Sequence, residues 1–351
     1  MPDASDNGVL DEGLSRLAVT GPEFAGGLSN HGPMAAEALV RLGRANAVER
    51  WLDDYLKRLD EAPRATDPVS DQTWREALGA HRRVADWEVY FRRQLDGQPW
   101  RDVLARWWPR LLPGVAAAAT HGVIRTSHAA RSLAAAEAAA ADTAQRRDEL
   151  ARGLAYWAAS YLELPGTPRT AGELDLGDAL RGLPAAAESA APGLITEALK
   201  KSLAGDRRFG PAVAALRPPA DVAADMLALA REFTRIFLVY GGERPIALLH
   251  AVTAPVAARS VLPLLPDTAA RPTYDALWQV GAGLYTVYTG GVTPLPLPAV
   301  PPPAPEDVAD RAVANGDEHA IKLTEACLRL HAEAPDPLFL HAATRASDLL
   351  G

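Results

Sequence analysis

The sequence predicts an all-α fold, a single large multi-helix domain with a proline-rich strap near its C-terminus, and three observations carry that prediction. Alternating β-branched or aromatic runs divided by Asn-Gly or Asp-Gly turns are almost absent, whereas alanine and leucine dominate. Apolar residues recur at helical spacing through 34–60, 70–95, 100–112, 115–149, 150–163, 222–240, 246–265, 273–288 and 317–333. The breaks fall at "LDGQPW", "LLPG", "LELPGTP" and "YGGERP". There proline removes a backbone donor and glycine relaxes the chain.

Taken in order, residues 1–10 are acidic and read as a flexible tail, with no basic start and apolar run of a signal peptide. The stretch "SNHGPMAAEAL" opens the first helix, with Ser29 or Asn30 as its cap and Pro33 in its first turn. The segment 115–149 carries His121 and His128, seven apart and so on one face. The axial rise between them is about 10 Å, too far for both to bind one metal on a straight helix. His250 sits in "IALLHAVTAPVAARSVL" with Thr253 one turn later. The tract 293–308, "TPLPLPAVPPPAPEDV", predicts extended polyproline-like chain. Only about 45 residues follow it, too few for a second core, so it reads as a strap returning the last helices to one domain spanning 1–351. In the last of the periodic segments, "GDEHAIKLTEACL" places His319, Lys322, Leu323 and Ala326 on one face.

Composition narrows the function classes. Hydrophobic residues make up 48% of the 351 residues and charged residues 23%, the balance of a folded chain. The formal charge is −8 and no dense Lys/Arg block occurs, so neither nucleic acid nor a membrane is an expected partner, and small organic molecules remain. The single cysteine, Cys327, excludes an intramolecular disulfide framework and a cysteine-based metal site. No stretch of about 20 residues reads as apolar and free of charge, and a cytoplasmic location is expected.

The informative polar residues are histidines in apolar helical settings. Taken singly, each of His31, His121, His250 and His319 reads more readily as a hydrogen-bonded core residue than as a ligand. Taken together, four such residues on four helices are what a helical-bundle metal site requires, since imidazole suits iron, zinc, copper and nickel. His81 and His331 have charged neighbours and read as surface. Trp107, Trp108, Trp157, Tyr240, Trp278 and Tyr285 read as core rather than as the walls of a flat ligand's pocket. Arg125 and Arg131 either hold an anionic ligand or bridge to Glu37 or Asp86. No G-x-S-x-G elbow occurs, and the glycines of "GAGLYTVYTGG" follow no strand, which disfavours a dinucleotide fingerprint.

With "NHGPMAAEAL", "HGVIRTSHAARSL", "LLHAVTAP" and "DEHAIKL" in this order, the chain resembles the questin oxidase-like family, and its bacterial branch in particular, over about residues 28–345. The resemblance implies an α-helical oxygenase that oxidises, and opens a ring of, an anthraquinone-like polyketide phenol or quinone with O2. It also implies a non-haem Fe(II) held by His31, His121, His250, His319 and a side-chain-carboxylated Lys322, with Thr253 donating to the carbamate. Burial favours the neutral amine that such a modification needs. At the position four residues after His121, where fungal members tend to show a second histidine, this chain has Arg125. His128 then substitutes for that ligand, or fewer protein ligands serve, or no metal is held. Arg125 and His128 are candidates for orienting substrate or moving a proton. Two other readings stay open: a metal-free NADPH-dependent Baeyer–Villiger-type oxygenase, and a non-catalytic helical protein that binds an aromatic metabolite.

Overall fold

Local sequence sets the helix boundaries, and the computed structural model, which describes residues 4–186 and 189–350, is all-α apart from one tiny hairpin. Helix α1 (Ala4–Leu17) leads through antiparallel β1 (Glu23–Phe24) and β2 (Leu28–Ser29) into α2 (Gly32–Arg41). Next come α3 (Val48–Tyr55), α4 (Trp74–Ala77), α5 (Val84–Gly97) and α6 (Trp100–Leu111). The long antiparallel pair α7 (His121–Ala138) and α8 (Ala144–Ala159) precedes three short helices, α9 (Leu176–Arg181), α10 (Ile195–Leu203) and α11 (Phe209–Ala214). Then follow α12 (Val222–Tyr240), α13 (Pro245–Arg259) and α14 (Ala270–Tyr288). After the proline-rich strap the chain ends in α15 (Pro305–Asn315), α16 (Glu318–Glu333) and α17 (Pro337–Leu349).

Helix α13 is the axle of the core. It is buried continuously from Ala247 to Ala258 and packs against α7, α12, α14 and α16. A helix apolar on every side belongs inside a protein or a bilayer. By length and composition the segment 245–264 is apolar enough to cross a membrane, but it carries Arg259 and most of it is enclosed by its neighbours. Glycine permits two of the closest helix contacts. A Cβ on Gly122 would meet Trp157 at 2.7 Å, and one on Gly281 would meet the Phe233 ring at 2.3 Å, so α7 approaches α8, and α14 approaches α12, only because those side chains are absent.

The strap works as expected at its C-terminal side: α16 packs on α2 and α13, and α17 on α12. It is shorter than expected, because Pro305 serves as a first-turn residue of α15 rather than as extended chain. The expected tail is also corrected. Residues from Ala4 onward are helical, and Leu10, Leu14 and Leu17 pack with Leu39, Val48 and Leu52 in a second, smaller core cluster. The periodic segment 34–60 is divided near Gly43, whose φ is +70°, and 115–149 is divided by turns on both sides of α7. Ala118, Ala119 and Thr120, all left-handed, form the first of these turns.

Candidate metal centre

Three of the four singled-out histidines spring from helix starts. His31 is the N-cap of α2, His121 is the first residue of α7, and His319 lies in the first turn of α16, whose Asp317 cap accepts from the His319 and Ala320 amides. His250 sits one turn further into α13. All four are buried, and one nitrogen from each lies within 4.8 Å of the others, close enough to hold a metal ion.

The finer distances lie close to, and in one case slightly inside, those around a single ion. His31 Nε2 is 2.7 Å from His121 Nε2, which is 3.0 Å from His250 Nε2. Two nitrogens each about 2.1 Å from one metal stand about 3.0 Å apart at right angles and about 3.4 Å apart at the tetrahedral angle.

Backbone carbonyls fix two of the tautomers. His121 Nδ1 faces Ala118 O at 2.5 Å and His250 Nδ1 faces Ile246 O at 2.6 Å. Each Nδ1–H therefore donates to a carbonyl, and each Nε2 carries a bare lone pair. Those two lone pairs face each other, an arrangement that asks for a cation between them.

A proton is poorly suited to be that cation. Burial, reinforced by the neighbouring imidazoles and Lys322, holds His31, His121 and His250 well below the usual histidine range. The partial positive charge of three helix starts acts in the same direction. His31 Nδ1 is buried without a hydrogen-bond partner, and so is His319 Nδ1, which stands 3.4 Å from Asp317 Oδ1 without an aligned hydrogen bond. The donor chemistry and spacing thus fit a divalent transition metal.

Lys322 lies one turn beyond His319 and is 1% exposed. Its Nζ has no hydrogen-bond partner, and burial pushes its ammonium down to about 7 against the opposing pull of Glu318 and Asp317. Thr253 Oγ1 donates to Leu249 O at 3.3 Å, within its own helix.

Arg125 and His128 also depart from expectation. Arg125 grips Glu149 as a buried fork, Nε–Oε1 2.6 Å and Nη2–Oε2 2.9 Å. His128 Nδ1 is 2.9 Å from Glu37 Oε2, in a network where Arg131 binds both Glu37 and Glu325. Neither residue lines the cavity described below, so neither is placed to orient a ligand there. Both are committed to buried carboxylates, whose neutralisation outweighs the alternative. The network does join α2, α7 and α16, which carry three of the four clustered histidines.

The histidines open onto a cavity of about 630 Å³, a volume suited to a small organic ligand. Phe24, Tyr161, Leu162, Ile195 and Tyr288 give it apolar walls, and Glu23, Arg58, His81, Ser160 and Glu318 give it polar ones. Sequence reading missed the polar group. His81 was obscured by the adjacent Arg82 and Arg83, and Glu23 lies in a hairpin without periodicity. None of the six tryptophans and tyrosines assigned to the core lines this cavity. The glycines of "GAGLYTVYTGG" lie within α14, where Gly281 and Gly283 admit helix neighbours, and just past its end. No protein-family model matches the chain, and no curated protein matches it.

Proposed function

We propose that the protein is an oxygenase acting on a hydroxylated polycyclic aromatic compound, with O2 as co-substrate and a non-haem iron held by His31, His121, His250 and His319. The observation that carries this reading is the pair of fixed Nε2 lone pairs facing each other at 3.0 Å inside a four-imidazole cluster at the wall of a ligand-sized cavity. When bound, the metal would supply the redox and Lewis-acid chemistry that an all-helical chain with one buried cysteine lacks. The resemblance in sequence motifs points to the same chemistry and to ring opening.

The chain's own residues have definable tasks in this reading. The carbonyls of Ala118 and Ile246 keep two imidazoles in the ligating tautomer. Phe24, Leu162, Ile195 and Tyr288 exclude water from an aromatic ring system. Arg58 lies over the Phe24 and Tyr55 rings and is anchored by Glu318 at 3.1 Å, so its charge is fixed at the cavity edge. Lys322, lowered to about 7 so that much of it is uncharged at neutral pH, and without a partner, has the chemistry to be carboxylated and to add an anionic oxygen beside the cluster.

Protein purified without chelator is expected to carry near-stoichiometric iron and to consume O2 in the presence of hydroxylated anthraquinones. His121→Ala and His250→Ala should lose both properties while keeping the helical circular-dichroism signal. Metal-free wild-type protein that stays folded and gains no O2 uptake on anaerobic loading with Fe(II) would overturn the reading.

A further inference from the structure

A second chemical group lines the same cavity, and nothing in the metal reading uses it. His81 Nε2 stands 3.0 Å from Glu23 Oε2, and His81 Nδ1 stands 3.3 Å from Ser160 Oγ. The other carboxylate oxygen of Glu23 accepts from the Tyr156 hydroxyl at 2.9 Å, and that hydroxyl is 2.7 Å from Ser29 Oγ. The polarity is set by Glu23. A carboxylate can only accept, so His81 presents Nε2–H to it and keeps a lone pair on Nδ1, on the side of the Ser160 hydroxyl. Glu23, His81 and Ser160 all border the cavity, and the side chain of His81 is 49% exposed, open to an entering ligand.

The surroundings favour a base over a nucleophile. Ser160 caps the C-terminus of α8, and the amides nearest to it are taken: Tyr161 N and Gly79 N both bond to Ala158 O. Neither of these two amides is left to receive an oxyanion formed at Ser160. The other cations at the cavity edge are also engaged, Arg58 by Glu318, Lys200 by Glu197 and Arg244 by the Ala190 carbonyl. Among the described residues, the ion-pair partner of His81 is Glu23 on β1. Its neighbour Arg83 turns away to Asp67 and Asp86.

The geometry points to Glu23 and His81 as the acid–base pair of the cavity, taking the proton from an acidic hydroxyl of a phenol-type ligand. The ligand O–H bond breaks, an N–H bond forms at His81 Nδ1, and the resulting oxyanion lies beside an imidazolium whose second N–H remains on Glu23. Glu23 holds the tautomer and stabilises the imidazolium, and Tyr156, buried and bonded to both Glu23 and Ser29, fixes the carboxylate. The side-chain hydrogen bond to Glu23 raises His81 above its ordinary value against the opposing effect of burial, in keeping with this role. The inference extends the oxygenase reading by naming how a hydroxylated substrate would be activated, but proton transfer to His81 is measurable without turnover.

The test uses 4-nitrophenol, whose ionised form absorbs visible light, titrated with pH in the presence of the full-length protein. Bound to wild-type protein, it is expected to ionise about one pH unit below the free phenol, as a neighbouring cationic partner dictates. The shift should persist in His121→Ala, which disables the histidine cluster, and vanish in His81→Gln. Glu23→Gln should reduce it. A shift that survives in His81→Gln overturns the proposal. If it also disappears in His121→Ala, it belongs to a cation at the histidine cluster, and the metal reading stands without the dyad. Failure of 4-nitrophenol to bind, or to shift when bound, equally overturns it. Iron content and O2 uptake, measured separately, decide the oxygenase reading by itself.

Discussion

Removing the cation at the centre of the buried ionic network is the most demanding test of how the histidine-bearing helices are held. Arg131 lies 3.0 Å from Glu37 Oε1 and 3.0 Å from Glu325 Oε1, and it also contacts Glu37 Oε2. Arg131→Leu leaves both carboxylates buried, though Glu37 keeps His128 and Arg41, and Glu325 keeps Arg329. Breaking a buried pair from one side costs about 3–5 kcal/mol, and the remaining partners place this case near 3 kcal/mol. In the wild type, burial acts to raise both glutamates, but Arg131 and its neighbours bring Glu325 below, and Glu37 well below, the usual carboxylate range. Their contribution to stability is therefore complete above the unfolded value of about 4.3 and is lost as pH falls through the depressed folded values.

In the variant burial is less fully offset and the folded values rise toward the unfolded value of about 4.3 or beyond it, so the variant loses less stability than the wild type on mild acidification. Urea unfolding should show a deficit of about 3 kcal/mol at pH 7 that shrinks at pH 5, by up to about 1.4 kcal/mol for each unit of rise. Retention of a metal at the histidine cluster should fall in parallel, because α16 loses its tie to α2 and α7. A deficit below about 1 kcal/mol, or one equal at the two pH values, would refute this account of the network.

Three further outcomes follow from local geometry. Ala119→Gly, at a φ of +55°, should stabilise the fold or leave it unchanged, since left-handed backbone costs an alanine about 1–2 kcal/mol. A thermal-unfolding loss of more than about 1 kcal/mol, the ordinary helix penalty for glycine, would contradict it. Gly122→Ala drives a methyl group to 2.8 Å from the Trp157 Cα, and chemical denaturation should register about 1–3 kcal/mol of destabilisation together with reduced metal retention. Asp317→Ala removes the acceptor of the His319 and Ala320 amides and should cost about 1 kcal/mol in urea midpoint measurements, with Asp317→Asn recovering most of it.

What could be read from the chain, and what could not, divides along a physical line. His31, His121, His250, His319 and Lys322 are conspicuous because each interrupts an apolar, small-residue helical pattern, and an interruption that the fold tolerates signals a buried polar group. Arg125 and His128 interrupt the same kind of pattern, yet their partners Glu149 and Glu37 lie on other helices, and only tertiary packing reveals that their charges are spent on carboxylates. The left-handed turn at Ala118–Thr120 is hidden for another reason: its residues carry no turn chemistry, and the surrounding structure imposes their conformation. Helices α1 and α17 are amphipathic but lie in segments taken as a tail or left unassigned, so their periodicity went unread. Glu23 sits in a two-residue strand where spacing has no meaning, and His81, inside the periodic stretch 70–95, lies in the short turn before α5, so their pairing shows only once the hairpin meets the end of α8.

The span of sequence joined by the histidine cluster has a consequence for how the molecule holds together. His31 and His121 are 90 residues apart, and His121 and His250 a further 129. An ion gripping all of them acts as a staple between distant parts of the polypeptide. Loops of such length are costly to close in a disordered chain. A bound ion would therefore slow the escape of α2 and α16 together, and extraction by a chelator would speed proteolytic nicking around both.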